Sequence, residues 1–197
     1  MILPIVAYGD PVLRRKADPI TAAYPQLQQL IDDMFETMYA ASGIGLAAPQ
    51  VGHSIRLFVV DTAAALKTRA ANEGADQESA FANEKPVRRV IINAEVIEKN
   101  GTPWQYNEGC LSIPTIREDI GRPETIRIRY LDEQFRPQEE MFQGLAGRVV
   151  QHEYDHIEGI LFIDYLRPLR RKLLQKKLSN ISRGLVDVDY PMRFAKK

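Results

Sequence analysis

The chain has 197 residues, 45% of them hydrophobic, enough to enclose one substantial core and too few to require two. Lys plus Arg equals Asp plus Glu at 26 each, so no overall charge favours specific DNA or an anionic membrane, and a charged partner must be met by a local patch. The start at Met1 lacks a basic leader, and no later run approaches the roughly 20 apolar residues of a membrane span, so the expectation is a single cytoplasmic domain over 1–197.

Within Pro25 to Ala41, Leu27, Leu30, Ile31, Met34 and Met38 recur at spacings of three and four, the apolar stripe of an amphipathic helix. Ser42 to Gly52, rich in small residues with Pro49 inside, reads as a loop that brings backbone close to a neighbour. Ile55 to Val60 is a short, partly β-branched strand. Thr62 to Pro86 is mostly alanine, charge and amide; it cannot organise a core of its own and reads as a surface insertion at about 62–86. Val87 to Ile97 and Thr125 to Leu131 are strand-like. In the second, Ile126, Ile128 and Tyr130 alternate with Arg127 and Arg129, the pattern of an antiparallel sheet with one solvated face. Gly144 to Glu158 suits a helix ending near Gly159, and Pro168 opens a basic helix covering about 167–183. The tail from Gly184 reads as extended. The fold class is α+β, with antiparallel strands packed around the helix that carries His152 to His156.

His152-Glu153-Tyr154-Asp155-His156 carries the most chemistry. Positions four apart share a helix face, so two imidazoles can reach one metal ion while Glu153 lies beside it. The bland alternative is two helix-surface histidines near an acid. The only thiol, Cys110, cannot form an internal disulfide and sits in Glu108-Gly109-Cys110-Leu111-Ser112-Ile113-Pro114 beside a glycine. A lone cysteine is more often packed in a core, but beside this helix motif Cys110 becomes the natural third ligand. Three ligands leave a fourth position open for water, as catalytic sites require, and only His53 is a candidate to close it; a solvated loop histidine is the first reading of His53. Gly43-Ile44-Gly45-Leu46-Ala47-Ala48-Pro49-Gln50 would let main chain and the Gln50 amide approach a reacting carbonyl, or be a plain connection.

In order and spacing, the segments Gly43 to Gln50, Glu108 to Pro114 and Gln151 to His156 resemble the three signature motifs of the peptide deformylases. The resemblance runs through most of Ile5 to Pro168 outside the insertion. It implies a peptide deformylase-like fold and a metal-dependent hydrolase that removes the N-terminal formyl group from the formylmethionine of nascent proteins, releasing formate. Cys110, His152 and His156 would hold one divalent ion, with iron(II) expected in the cell and zinc, nickel or cobalt able to replace it. Water would attack the formyl carbon with Glu153 as general base, and the Gln50 amide and Leu111 N–H would stabilise the oxyanion. The substrate backbone would run extended past Gly45 and Gly109. Ile44 and Leu145 would line an apolar methionine pocket, and Arg117 would contact the substrate. Arg148 falls where some relatives carry an apolar residue, so its stem lines the pocket or its charge turns away. Asp155 is expected to orient the helix through an arginine such as Arg122, and Glu108 either fixes the Cys110 loop or is solvated.

Arg167, Arg170, Arg171, Lys172, Lys176 and Lys177 are a solvated basic face in the first reading; the resemblance adds contact with the ribosome as a second. A monomer is expected, because no self-association heptad appears. Two other functions are open at this level. One is a metalloprotease cutting internal bonds. The other is a non-catalytic ribosome-surface protein whose structural metal site is closed by His53.

Overall fold

Alternation and helical spacing shape most of the elements in the computed structural model, which describes residues 1–72 and 84–195, with 69–72 described by backbone alone. They are β1 (Ile5–Val6), α1 (Leu27–Ala40), β2 (Gly45–Ala47), β3 (Leu57–Asp61), α2 (Ala63–Asn72), β4 (Arg88–Asn100), β5 (Trp104–Cys110), β6 (Ile113–Arg122), β7 (Thr125–Leu131), β8 (Pro137–Gln143), α3 (Gly144–Ile157), α4 (Pro168–Ser182) and β9 (Met192–Arg193). The central sheet has the order β2-β3-β4-β7-β8, antiparallel throughout. β5 and β6 form a separate antiparallel hairpin, and β1 pairs with β9 in parallel.

Strand β3 explains the layering. Its side chains alternate between faces: Leu57 and Val59 pack with Ile31, Met34 and Met38 of α1, while Phe58 and Val60 pack with Leu145, Val150 and Ile157 of α3. The sheet is therefore held between two helices, and α3 is fixed against its second face. A third cluster joins Ile113, Ile116 and Ile120 of β6 to Val6 of β1 and to Leu174, Leu178 and Ile181 of α4. No helix among the described residues is long and apolar enough to cross a membrane.

Several sequence expectations change here. The Ser42 to Gly52 loop contains β2, which pairs with β3 through Gly45↔Val60 and Ala47↔Phe58, and a short 3-10 helix over Ala48–Val51. The Cys110 segment is the end of a strand and its turn, because β5 and β6 pair from Trp104↔Arg122 to Gly109↔Arg117. β8 is an edge strand, mostly exposed and with Glu139 and Glu140 at its centre, which blunts further pairing. The 62–86 excursion contains α2, and residues 73–83 of it lie outside the described residues. Thr62 and Val87 close its base by exchanging hydrogen bonds of 3.0 Å, Thr62 N–H to the Val87 carbonyl and Val87 N–H to Thr62 Oγ1. Asp61↔Arg88 then pair in register, so the excursion leaves the β3–β4 ladder intact.

Candidate active site

The helix α3 begins directly after β8 and ends at Ile157, capped by Glu158, after which Gly159 turns the chain with φ +75°, a conformation that favours glycine. Its apolar residues Leu145, Val150 and Ile157 are fully buried against the sheet, which fixes the rotation of the helix and turns His152 and His156 toward the end of β5. The Cys110 thiol and one nitrogen of each of these histidines all lie within 4.8 Å of one another. Cys110 Sγ is 3.3 Å from His156 Nε2, and the two imidazole centroids are 5.0 Å apart.

One thiol and two imidazoles form a donor set that suits a divalent transition metal. A buried atom in the same place supports that fit: Glu153 Oε2 makes no hydrogen bond. Burial and the neighbouring His152 hold the His156 pKa well below its ordinary value, in the neutral form a metal accepts. His53 lies elsewhere, its Nδ1 3.1 Å from Tyr24 Oη, and is not part of the ligand group.

Glu153 is 4% exposed, and burial pushes its carboxyl up to about 7. Gly45 is needed beside it, since a Cβ at that position would come within 2.8 Å of Glu153 Cγ. Gln50 is held by its own loop: its Oε1 accepts from Ala47 N–H at 2.8 Å, leaving its Nε2 at 3.5 Å from Cys110 Sγ and 3.3 Å from Ser112 Oγ.

Behind the ligands lies a buried ionic network. Glu108 accepts from Arg122 at 2.7 and 3.0 Å and from Arg148 at 3.0 Å, and its Oε2 is 3.0 Å from His152 Nδ1. Arg122, 2% exposed, also donates to Asp155 at 2.6 Å, and Tyr165 Oη donates to Asp155 at 3.1 Å. Burial alone would raise the Glu108 pKa, but hydrogen bonds from His152 and Arg122 hold it well below the usual carboxylate range. Two carboxylates face two guanidiniums, so the buried charges balance. The Arg122–Asp155 pair matches its sequence expectation. Glu108 is not solvated; its partner is the ring nitrogen of His152 away from the thiol, an arrangement that sets which histidine nitrogen is free. Sequence could not pair Glu108 with His152, because only the hairpin register brings them together.

A cavity of about 630 Å³ opens onto these groups. Ile44, Gly45, Gly109, Leu111 and Arg117 line it as expected. Leu145 does not: it is fully buried in the core beneath α3, and Val149, one turn along the helix, lines the cavity in its place. Arg148 resolves in both ways at once. It lines the cavity, while its guanidinium turns to Glu108, the carbonyls of Ile120 and Trp104, and the Trp104 ring at 4.2 Å. The sequence reading missed the tail: Asp187 to Tyr190 line the cavity, and Tyr190 Oη donates to the Leu111 carbonyl at 2.8 Å. Burial pushes the Tyr190 pKa up to about 12, so the phenol keeps the proton it donates.

Similar proteins share this arrangement of the chain. The family model described as Polypeptide deformylase matches residues 2–172. The chain is 51% identical to a peptide deformylase of Christiangramia forsetii, covering 98% of this chain and 96% of that one. It is 50% identical to a peptide deformylase of Flavobacterium johnsoniae, covering 99% and 97%. Among solved structures, the peptide deformylase from Thermus thermophilus matches with a TM-score of 0.76 at 36% identity, covering 93% of this chain and 99% of that one.

Proposed function

Since the chain belongs to the polypeptide deformylase family, hydrolases that remove the N-terminal formyl group from nascent peptides, we propose that Cys110, His152 and His156 hold its divalent metal and that Glu153, Gln50 and Leu111 serve the hydrolysis. The observation that carries these roles is the buried Glu153 carboxyl, without a hydrogen-bond partner at Oε2, beside a thiol and two imidazoles within 4.8 Å of one another.

When bound, the ion supplies Lewis acidity, polarising the formyl carbonyl and making water acidic enough to react near neutral pH. Iron(II) is our proposal for the cell, with zinc, nickel or cobalt as substitutes; a thiolate with two imidazoles accommodates each. Glu153 takes the proton of the attacking water and returns it to the departing amine, a task its buried position on the cavity wall beside His152 suits. The Gln50 amide and Leu111 N–H stabilise the developing oxyanion. Gly45 and Gly109, which both line the cavity, offer main-chain groups to an extended peptide, and pairing of that kind is indifferent to side chains. Ile44 and Val149 form the apolar side for methionine, and Arg117 meets the peptide beyond it.

Residues 1–197 work as one monomeric catalytic unit in the cytoplasm. Contact with the ribosome is a second reading for α4, favoured by Leu169 and Leu173, 72% and 66% exposed among its exposed basic residues. Salt-dependent cosedimentation with ribosomes, weakened by Lys172→Glu with Lys176→Glu, tests it.

The primary test is formate release from formyl-Met-Ala-Ser by protein prepared without oxygen and loaded with nickel or iron(II). Parent activity that is largely lost in Glu153→Ala and Cys110→Ser is the expected result. Full activity in either variant would refute the assigned roles.

A further inference from the structure

The tail from Leu185 to Phe194 is built into the enzyme rather than trailing from it. β9 pairs in parallel with β1 through Ile5↔Met192 and Val6↔Arg193, and Ile5 N–H donates to the Pro191 carbonyl at 2.9 Å. Tyr190 is tied to the Leu111 carbonyl at 2.8 Å. These anchors hold Asp187 to Tyr190 along one side of the cavity that also contains the unpartnered Glu153 carboxyl.

Charge on the cavity wall is unevenly committed. Arg148 is used by Glu108 and two carbonyls, and Glu108 is used by two arginines and His152. Arg117, on β6, is exposed but donates to Asn107 Oδ1 at 2.9 Å and to the Asn107 carbonyl. Asp187 and Asp189 are exposed, and neither enters an ion pair among the described residues. The tail therefore sets two exposed acidic residues, free of ion pairs among the described residues, beside the cavity. A peptide bound by its main chain in extended form projects successive side chains to opposite sides, so every second side chain beyond the formyl-methionine faces the same wall.

Resting on the deformylase reading, we propose that Asp187 and Asp189 are specificity-determining residues, favouring formyl-methionyl peptides with a lysine or arginine at the second or third position over those with an acid there. Because the carboxylates are solvated, the preference is modest and sensitive to salt. Exposed pairs contribute little each, so two give a discrimination of roughly 3- to 10-fold in kcat/KM at low ionic strength.

The test compares formyl-Met-Lys-Lys with formyl-Met-Glu-Glu on the metal-loaded full chain, at low salt and at 0.5 M NaCl. The parent, the Asp187→Asn/Asp189→Asn double variant and the Asp187→Glu/Asp189→Glu double variant are each read as a ratio of kcat/KM values, so every protein is its own control. Expected is a ratio favouring the lysine peptide in the parent, retained by the glutamate variant, and falling toward one in the asparagine variant and in high salt. A ratio equal in the parent and the asparagine variant overturns the proposal. Formate release by the parent from neutral formyl-Met-Ala-Ser separates the two readings: activity there with no difference in ratio refutes the tail's role alone, whereas no activity there refutes the deformylase reading and the proposal with it.

Discussion

At Glu153, stability and chemistry pull in opposite directions. Its neutral form is favoured in the folded protein, so its contribution is complete below an ordinary carboxyl value of 4.5 and declines as pH rises toward about 7. In metal-free protein, Glu153→Gln should therefore be more stable than the parent at pH 8, by up to about 3 kcal/mol, and little different at pH 4.5. Urea unfolding at the two pH values in the presence of a chelator checks this, and an equal difference at both would contradict it. The same substitution should lower kcat by roughly 10²- to 10⁴-fold in the metal-loaded enzyme. Arg122 illustrates the reverse case: Arg122→Ala leaves Glu108 and Asp155 buried without their shared cation and should cost about 3–5 kcal/mol, read by the shift in the denaturant midpoint. His152, His156 and Cys110 were legible in the sequence because residue type and helical spacing alone nearly define a metal site. Glu108's bond to His152 and the exchange of Leu145 for Val149 were not, since each depends on a rotation or register that only packing sets.

Helices with a clear apolar stripe were legible as elements, and α1 and α3 fall within two residues of where periodicity places them. Strands β5 and β8 were not, because polar and charged residues occupy most of their positions and their pairing is decided by neighbours. Helix α3 also has a cap from an unexpected source. Its first turn lacks an acid, and the Leu145 N–H donates to the Glu84 carboxylate at 3.0 and 3.1 Å, from the far end of the 62–86 excursion. A carboxylate at a helix N-terminus satisfies a free donor and faces the positive end of the helix dipole. Glu84→Ala should destabilise the protein by about 1 kcal/mol while leaving the ligand set in place. Thermal unfolding together with metal stoichiometry distinguishes this outcome from damage to the metal site.

Across the whole molecule, depressed carboxylates set the acid limit. Burial opposes the ionised form of Asp164, yet hydrogen bonds from Arg14 and the Leu161 N–H lower its pKa, and Glu108 is lowered more strongly by His152 and Arg122. Both groups contribute stability that is present above their ordinary values of 3.8 and 4.5 and is lost as pH falls through their lower folded values. Melting temperature should thus fall steeply below about pH 4, and Arg14→Ala should soften that fall; a profile flat from pH 5 to 3 would rule this out. The α+β layering was readable from β-strand alternation and helix stripes, whereas the β1–β9 contact was not, because two residues on each side carry no pattern. That contact joins segments more than 180 residues apart along the chain, and it anchors one wall of the cavity. Contacts so distant along the chain close late, after the loop between them has been organised. During translation, the wall can form only once residue 192 has left the exit tunnel, so an enzyme that acts on growing chains completes this side of its own cavity after Cys110, His152, Glu153 and His156 have already emerged.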